Sequence, residues 1–168
     1  MDNRLPRRAE TLWPVVTVLL SSVCGCAQSS TRIADVSVPA PLDYLLPESV
    51  HLGPWLQMDP TIPGIEVTVQ ARDRLGDFTK AFGTFRFEVC AYRDNAFDRR
   101  GKLLAVWDAP LTDPQTNRLH WEDIHRAYKF RLRWNGRPSG RYVMVVYFDS
   151  PFTSRLVDQQ TLAPEGMR

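Results

Sequence analysis

The hexapeptide His120-Trp121-Glu122-Asp123-Ile124-His125 gathers two imidazoles and two carboxylates in six residues, the composition of a catalytic or metal-binding string. Zinc proteases place two histidines four apart on a helix so that both rings face one ion, with a glutamate next to the first. Here the histidines are five apart and Glu122 is displaced by one position. A helix turning about 100° per residue would point the two rings roughly 140° away from each other. No metal site and no catalytic residue are therefore expected; His120, Trp121 and His125 stand as candidates for binding only.

Other chemistries find less support. Calcium takes six to eight oxygens from clustered carboxylates. The acidic turns at Asp73 and Asp77, at Asp94 and Asp98, and at Asp149 are interrupted by Arg72, Arg74, Arg93, Arg99 and Arg100. The first two turns also flank one strand, so they belong at opposite ends of a sheet. The sequence has no Gly-x-Ser-x-Gly elbow and no phosphate-cradling glycine loop. Cys90 lies in an apolar run with no neighbouring histidine and is read as a small packed residue. Trp55, Trp107, Trp121 and Trp134 offer a sugar-stacking platform or core packing, and Trp134 shares the inward parity of its strand. No cofactor is expected, and the chain is not read as an enzyme.

The elements that would position these residues are strands. Odd positions are apolar from Ile65 to Ala71 and again from Phe85 to Ala91, and even positions are apolar from Tyr128 to Trp134. Alternation with period two marks a strand with one face on a core. Tyr142 to Phe148 is apolar throughout, the signature of a central strand covered on both sides or lying under a loop. Weaker strands are expected at residues 51–58, 103–107 and 156–162, with turns at Arg74 to Asp77, Asn135 to Gly140 and Ser150-Pro151. About seven short strands predict an all-β fold, a single immunoglobulin-like or Greek-key β-sandwich. Asp113 or Thr112 can cap one short connecting helix that starts at Pro114 and runs to about His125, with Trp121, Ile124 and Tyr128 at helical spacing.

The amino terminus is of another kind. Arg4, Arg7 and Arg8 precede an uncharged apolar run, Leu12 to Val23, of about a dozen residues, where about 20 are needed to cross a bilayer. The run ends in Val23-Cys24-Gly25-Cys26, which resembles the lipobox of bacterial lipoproteins, in which an aliphatic residue, a small residue and Gly or Ala precede the cysteine to be acylated. The resemblance implies cleavage after Gly25 and lipid on Cys26. An ordinary cut after Ala27 and an uncleaved anchor are the alternatives. Residues 1–25 are thus assigned to a signal peptide, residues 26–49 to a proline- and serine-rich tether and residues 50–168 to the sandwich.

Cleavage would remove three arginines and two acids from a chain with 21 basic and 19 acidic residues, leaving a formal charge of +1 with the signs interspersed. Such a surface does not recruit nucleic acid. Pro39, Pro41 and Pro47 keep the tether from regular pairing, although Tyr44, Leu45 and Leu46 can fold back on the domain. The strings GIEVTVQARDRLGD, KAFGTFRFEV and GRYVMVVYF, within residues 64–148, are similar to predicted lipoproteins of the bacterial envelope, a resemblance that implies no activity for individual residues. The expected protein is a lipid-anchored lipoprotein of the bacterial cell envelope with a binding or structural sandwich, attached to a membrane through Cys26. Its partner would be an envelope protein or glycan. Gln28, where Asp would resemble an inner-membrane retention signal, favours the outer membrane. A carbohydrate-binding module and a small metal-dependent hydrolase built on the sandwich loops are the alternatives.

Overall fold

Burial follows the alternation residue by residue. The computed structural model describes residues 37, 39–53, 56–58, 64–135 and 140–162. The leader, Cys26, the first part of the tether segment and Trp55 lie outside them. Ile65, Val67, Val69 and Ala71 on β3 (Ile65–Arg72) are fully buried, and the intervening Glu66, Gln70 and Arg72 are half-buried. Phe85, Phe87 and Val89 on β4 (Thr84–Tyr92) and Tyr128, Phe130 and Leu132 on β7 (Ala127–Leu132) obey the same rule. Side chains of successive strand residues point to opposite faces, so one parity faces the core and the other faces out.

Two antiparallel sheets result. In the first, β1 (Ser49–Leu52) and β2 (Gln57–Met58) both pair with β3, β3 pairs with β7, and β7 pairs with β6 (Trp121–Glu122). In the second the order is β5 (Arg100–Pro110), β4, β8 (Tyr142–Asp149), β9 (Leu156–Leu162). This is the A-B-E-D against C′-C-F-G order of an immunoglobulin-like sandwich. The expected fold class holds. Nine strands are described instead of about seven, because β2 and β6 are two-residue ladders too short to leave an alternating pattern.

Where antibody domains carry a disulfide and a tryptophan, the centre of this core is a cluster of aromatic rings. Phe85 from the second sheet lies 5.6 Å from Tyr128 and 5.6 Å from Phe130 of the first, and 4.8 Å from Phe148 of its own sheet. Phe87 and Phe130 meet across the sheets at 4.9 Å. Offset and tilted pairs at such separations add to simple area burial.

The uniformly apolar β8 is central, between β4 and β9. Its outer residues Val143 and Val145 form a second cluster with Cys90, flanked by Tyr92 and Tyr147. Arginines roof this cluster. Arg100 donates to the Tyr147 hydroxyl at 2.9 Å and to Gln159 Oε1 at 2.7 Å, and Arg141 stacks 4.0 Å over Tyr92. Cys90 is a free, buried thiol, as a packed residue should be, and burial together with Glu88 pushes its pKa up, away from thiolate reactivity.

The helix starts where expected and stops early. Asp113 caps α2 (Pro114–His120), its carboxylate accepting from the backbone of Gln115 at 2.9 Å and Thr116 at 3.0 Å. Hydrogen bonding to Thr116 holds that carboxyl below its usual range. The expectation of a helix to about His125 is corrected: at Trp121 the backbone becomes extended and pairs with Tyr128, because the indole packs edge-on against the Tyr128 ring at 5.1 Å. The last part of the tether segment also has structure, a single turn α1 (Ala40–Asp43) followed by residues that bond to the body. Glu48 N–H donates to the Arg72 carbonyl and Thr79 Oγ1 to the Leu45 carbonyl, each at 2.8 Å.

One hydroxyl ties these parts together. The buried Ala81 N–H donates to Tyr128 Oη at 2.8 Å, Tyr128 Oη donates to Asn117 Oδ1 at 2.9 Å, and Asn117 Nδ2 donates to the Ala81 carbonyl at 2.6 Å. The closed ring fixes α2 and the β3–β4 connection to β7. Burial raises the Tyr128 pKa against the opposing pull of its hydrogen bonds to Ala81 and Asn117.

Two stability measurements check this arrangement. Phe87→Ala removes an inter-sheet ring and is expected to cost about 3–5 kcal/mol, whereas Arg86→Ala on the outer face should cost less than about 1 kcal/mol. Equal losses in denaturant titration would contradict the face assignment. Tyr128→Phe strands the buried Ala81 N–H and should cost about 1–3 kcal/mol. Because the folded-state pKa is raised, the contribution of Tyr128 is fully present below the unfolded phenol pKa of about 10 and is lost as pH rises through the folded value. The difference between wild type and Tyr128→Phe should therefore narrow above that pH.

Candidate functional site

A gap in the first sheet creates a concave site. β6 pairs only with Ala127 and Tyr128, so among the described residues Phe130 to Leu132 of β7 have no strand on their outer side. The second sheet ends on the same flank with β5, which has β4 on one side only. Between these two edges, under α2, lies a cleft of about 360 Å³. Trp107 to Pro110 form one wall, Phe130 to Leu132 the other, and Thr112, Asp113, Thr116 and His120 the roof.

Most polar groups of the cleft hold the fold. Trp107 Nε1 donates to the Arg133 carbonyl at 3.0 Å, latching β5 to the end of β7. Asp113 caps the helix, and Asp108 lies 3.6 Å from Arg86 Nη1. His120 Nδ1 lies 3.1 Å from the Lys129 carbonyl, which can only accept, so that nitrogen carries the proton; the ring lies on Phe130 at a centroid distance of 4.8 Å. Its partner is a carbonyl, not the carboxylate that orients a catalytic base. What remains open to a ligand is an apolar floor with a sparse polar rim, including His120 Nε2, the usual composition of a recognition pocket.

The three sequence candidates do not converge. His120 enters the cleft. Trp121 lies on Tyr128, with Nε1 donating to Asp123 Oδ1 at 2.8 Å and Lys80 5.3 Å over its ring. His125 sits in the β6–β7 turn, 3.0 Å from Glu122 Oε2, and its carbonyl faces Gln70 Nε2 at 3.5 Å. The two histidines thus flank opposite ends of β6, and the helical geometry assumed for their rings does not apply beyond His120. Among the described residues, no group of three His, Cys, Asp or Glu side chains is placed to hold a metal.

The acidic turns are likewise occupied. Asp73 Oδ1 accepts from the Leu75 and Asp77 amides at 2.9 and 3.0 Å, Asp94 pairs with Arg141, Asp98 accepts from the Arg100 amide, and Asp149 grips Arg155 through both oxygens. Gly76, with φ +87°, supplies the left-handed residue this Asp73 turn needs. Trp107, Trp121 and Trp134 all pack against the core. Sequence inspection missed Asn117 and the role of Trp107 as a latch. Asn117 carries no periodic signal, and a tryptophan on an alternating strand reads the same whether or not its Nε1–H crosses a sheet boundary.

No family model matches the chain, and no curated protein sequence matches it. Among solved structures, it aligns with the solution structure of the PKD domain from the human VPS10 domain-containing receptor SorCS2, at 14% identity and a TM-score of 0.33, over 99% of this chain and 98% of that one. A likeness at that level assigns neither family nor function, and the fold assignment rests on the strand order described above.

Proposed function

We propose that the chain is a lipoprotein of the bacterial cell envelope, anchored by lipid on Cys26, whose sandwich acts by binding a partner in the cleft between β5 and β7. The observation that carries the binding role is the state of the cleft. Its carboxylates and one nitrogen of its imidazole are engaged in capping, pairing and latching, while its apolar floor is open. Two neighbouring strand edges favour an extended protein segment, which can add backbone hydrogen bonds to an edge and set its side chains in pockets. The packing of Trp107, Trp121 and Trp134 against the core favours a protein over a glycan, since a sugar platform needs exposed, coplanar aromatic faces. The anchoring role is supported by the Val23-Cys24-Gly25-Cys26 leader.

Both parts are testable in one bacterial strain expressing the full chain. Labelling with a fatty-acid analogue should be abolished by Cys26→Ser and retained in Cys24→Ser; equal labelling of wild type and Cys26→Ser would contradict the anchor. A photo-crosslinking side chain at Thr112 or Arg131 should capture one discrete envelope protein, and the same group at Thr161, on β9 at the opposite edge of the second sheet, should not. Capture from Thr161 alone would move the binding surface elsewhere.

A further inference from the structure

Several exposed apolar side chains stand on the segments at one end of the sandwich, with Phe97 exposed at the other. Ser49, where β1 begins, pairs with Arg72, where β3 ends, and Thr84, where β4 begins, pairs with Asp149, where β8 ends. The β3–β4 connection and the β6–β7 turn therefore project from the same end at which β1 begins. Leu75 at 69% exposure, Phe82 at 44% and Ile124 at 85% stand on these projections, with Leu45 at 55% beside them. Phe82 has Phe152 of the β8–β9 loop as its ring neighbour at 5.7 Å. Single exposed apolar residues are ordinary, but four on segments that share one end of the sandwich point to a contact surface.

The course of the chain indicates what covers them. Leu45 and Glu48 are bonded to Thr79 and Arg72 at this end, and Asp43 lies 3.3 Å from Arg74, so the tether segment joins the body here and not at the end bearing Phe97. Only 12 residues separate Cys26 from Pro39, a reach of at most about 45 Å.

We propose that this end of the sandwich rests on the bilayer holding the Cys26 lipid, with Leu75, Phe82 and Ile124 entering the headgroup layer. The proposal depends on lipidation of Cys26. The Cys26 lipid supplies the anchor, and loop insertion adds a second contact that fixes the orientation of the body on the membrane. At this end Arg72, Arg74, Lys80, Arg126 and Arg155 are outnumbered by Asp43, Glu48, Asp73, Asp77, Glu122, Asp123 and Asp149, so no basic patch draws the body to anionic lipid. Attachment is therefore apolar in character and insensitive to salt.

The test uses the full acylated chain, its Cys26 lipid verified by mass, in vesicles of phosphatidylethanolamine and phosphatidylglycerol that contain a nitroxide lipid labelled near the headgroup. A failure of lipidation is thereby seen before reconstitution and is kept apart from a failure of docking. A bimane fluorophore is attached through Leu75→Cys, Ile124→Cys or Phe97→Cys. Several-fold stronger quenching at positions 75 and 124 than at 97, unchanged in about 0.5 M salt, is the expected result. Equal quenching at the three positions would overturn the proposal. So would shielding of 75 and 124 that grows with protein concentration without nitroxide quenching, which would assign the surface to a second copy of the chain.

Discussion

Tyr128 is fully buried, and its ring and its hydroxyl hold different parts of the molecule. The ring packs on Phe85 across the sheets and on Trp121 within its own. The hydroxyl accepts from Ala81 and donates to Asn117, which in turn binds the Ala81 carbonyl. A buried polar group is tolerated only when its hydrogen bonds are satisfied, and a closed ring of three does so with little freedom to rearrange. Tyr128 thereby holds α2, the β3–β4 connection and β6 to the core. The cleft exists because α2, held here, roofs the gap that the short β6 leaves beside β7. Phe82, one of the apolar tips, follows Ala81 directly.

The strands were legible in the sequence because burial on one face repeats every second residue, and Val67, Phe87 and Phe130 fell on the face that alternation assigns. The apolar run of β8 marks a central strand covered on both sides or lying under a loop, and the buried Val143 and Val145 show the cover on its outer face. The cover itself was not legible. It consists of Arg100, Arg141 and tyrosines whose aliphatic and aromatic surfaces lie over the cluster while their polar ends remain hydrogen-bonded or exposed. Thr68 shows the opposite effect. A polar residue at an outward position is 2% exposed because Gly53, which has no Cβ to keep them apart, lies directly against it.

The candidate site was legible only in part. Asp113 and Pro114 announced the helix start through local hydrogen bonding and a fixed φ, both of which belong to neighbouring residues. The helix end did not announce itself, because Trp121 leaves the helix to pack on a residue seven positions later. His120, Trp121 and His125 formed a string in sequence that a hairpin separates in space. Asn117 and Trp107, which do most to shape the cleft, act through contacts 36 and 26 residues away in sequence. The cleft opens on the flank between β5 and β7, and the apolar tips lie at the end where β1 begins. A partner and a membrane would not compete for one surface.

The central claim is that the Tyr128 hydroxyl makes the β3–β4 connection part of the core. Native-state hydrogen exchange at the Ala81 amide tests it most directly, since this backbone N–H bonds to no strand neighbour and owes its protection to that hydroxyl. The account predicts that Ala81 exchanges as slowly as Phe85 and Val146, through global unfolding alone. Exchange at the rate of unbonded loop amides, with Phe85 still protected, would contradict it.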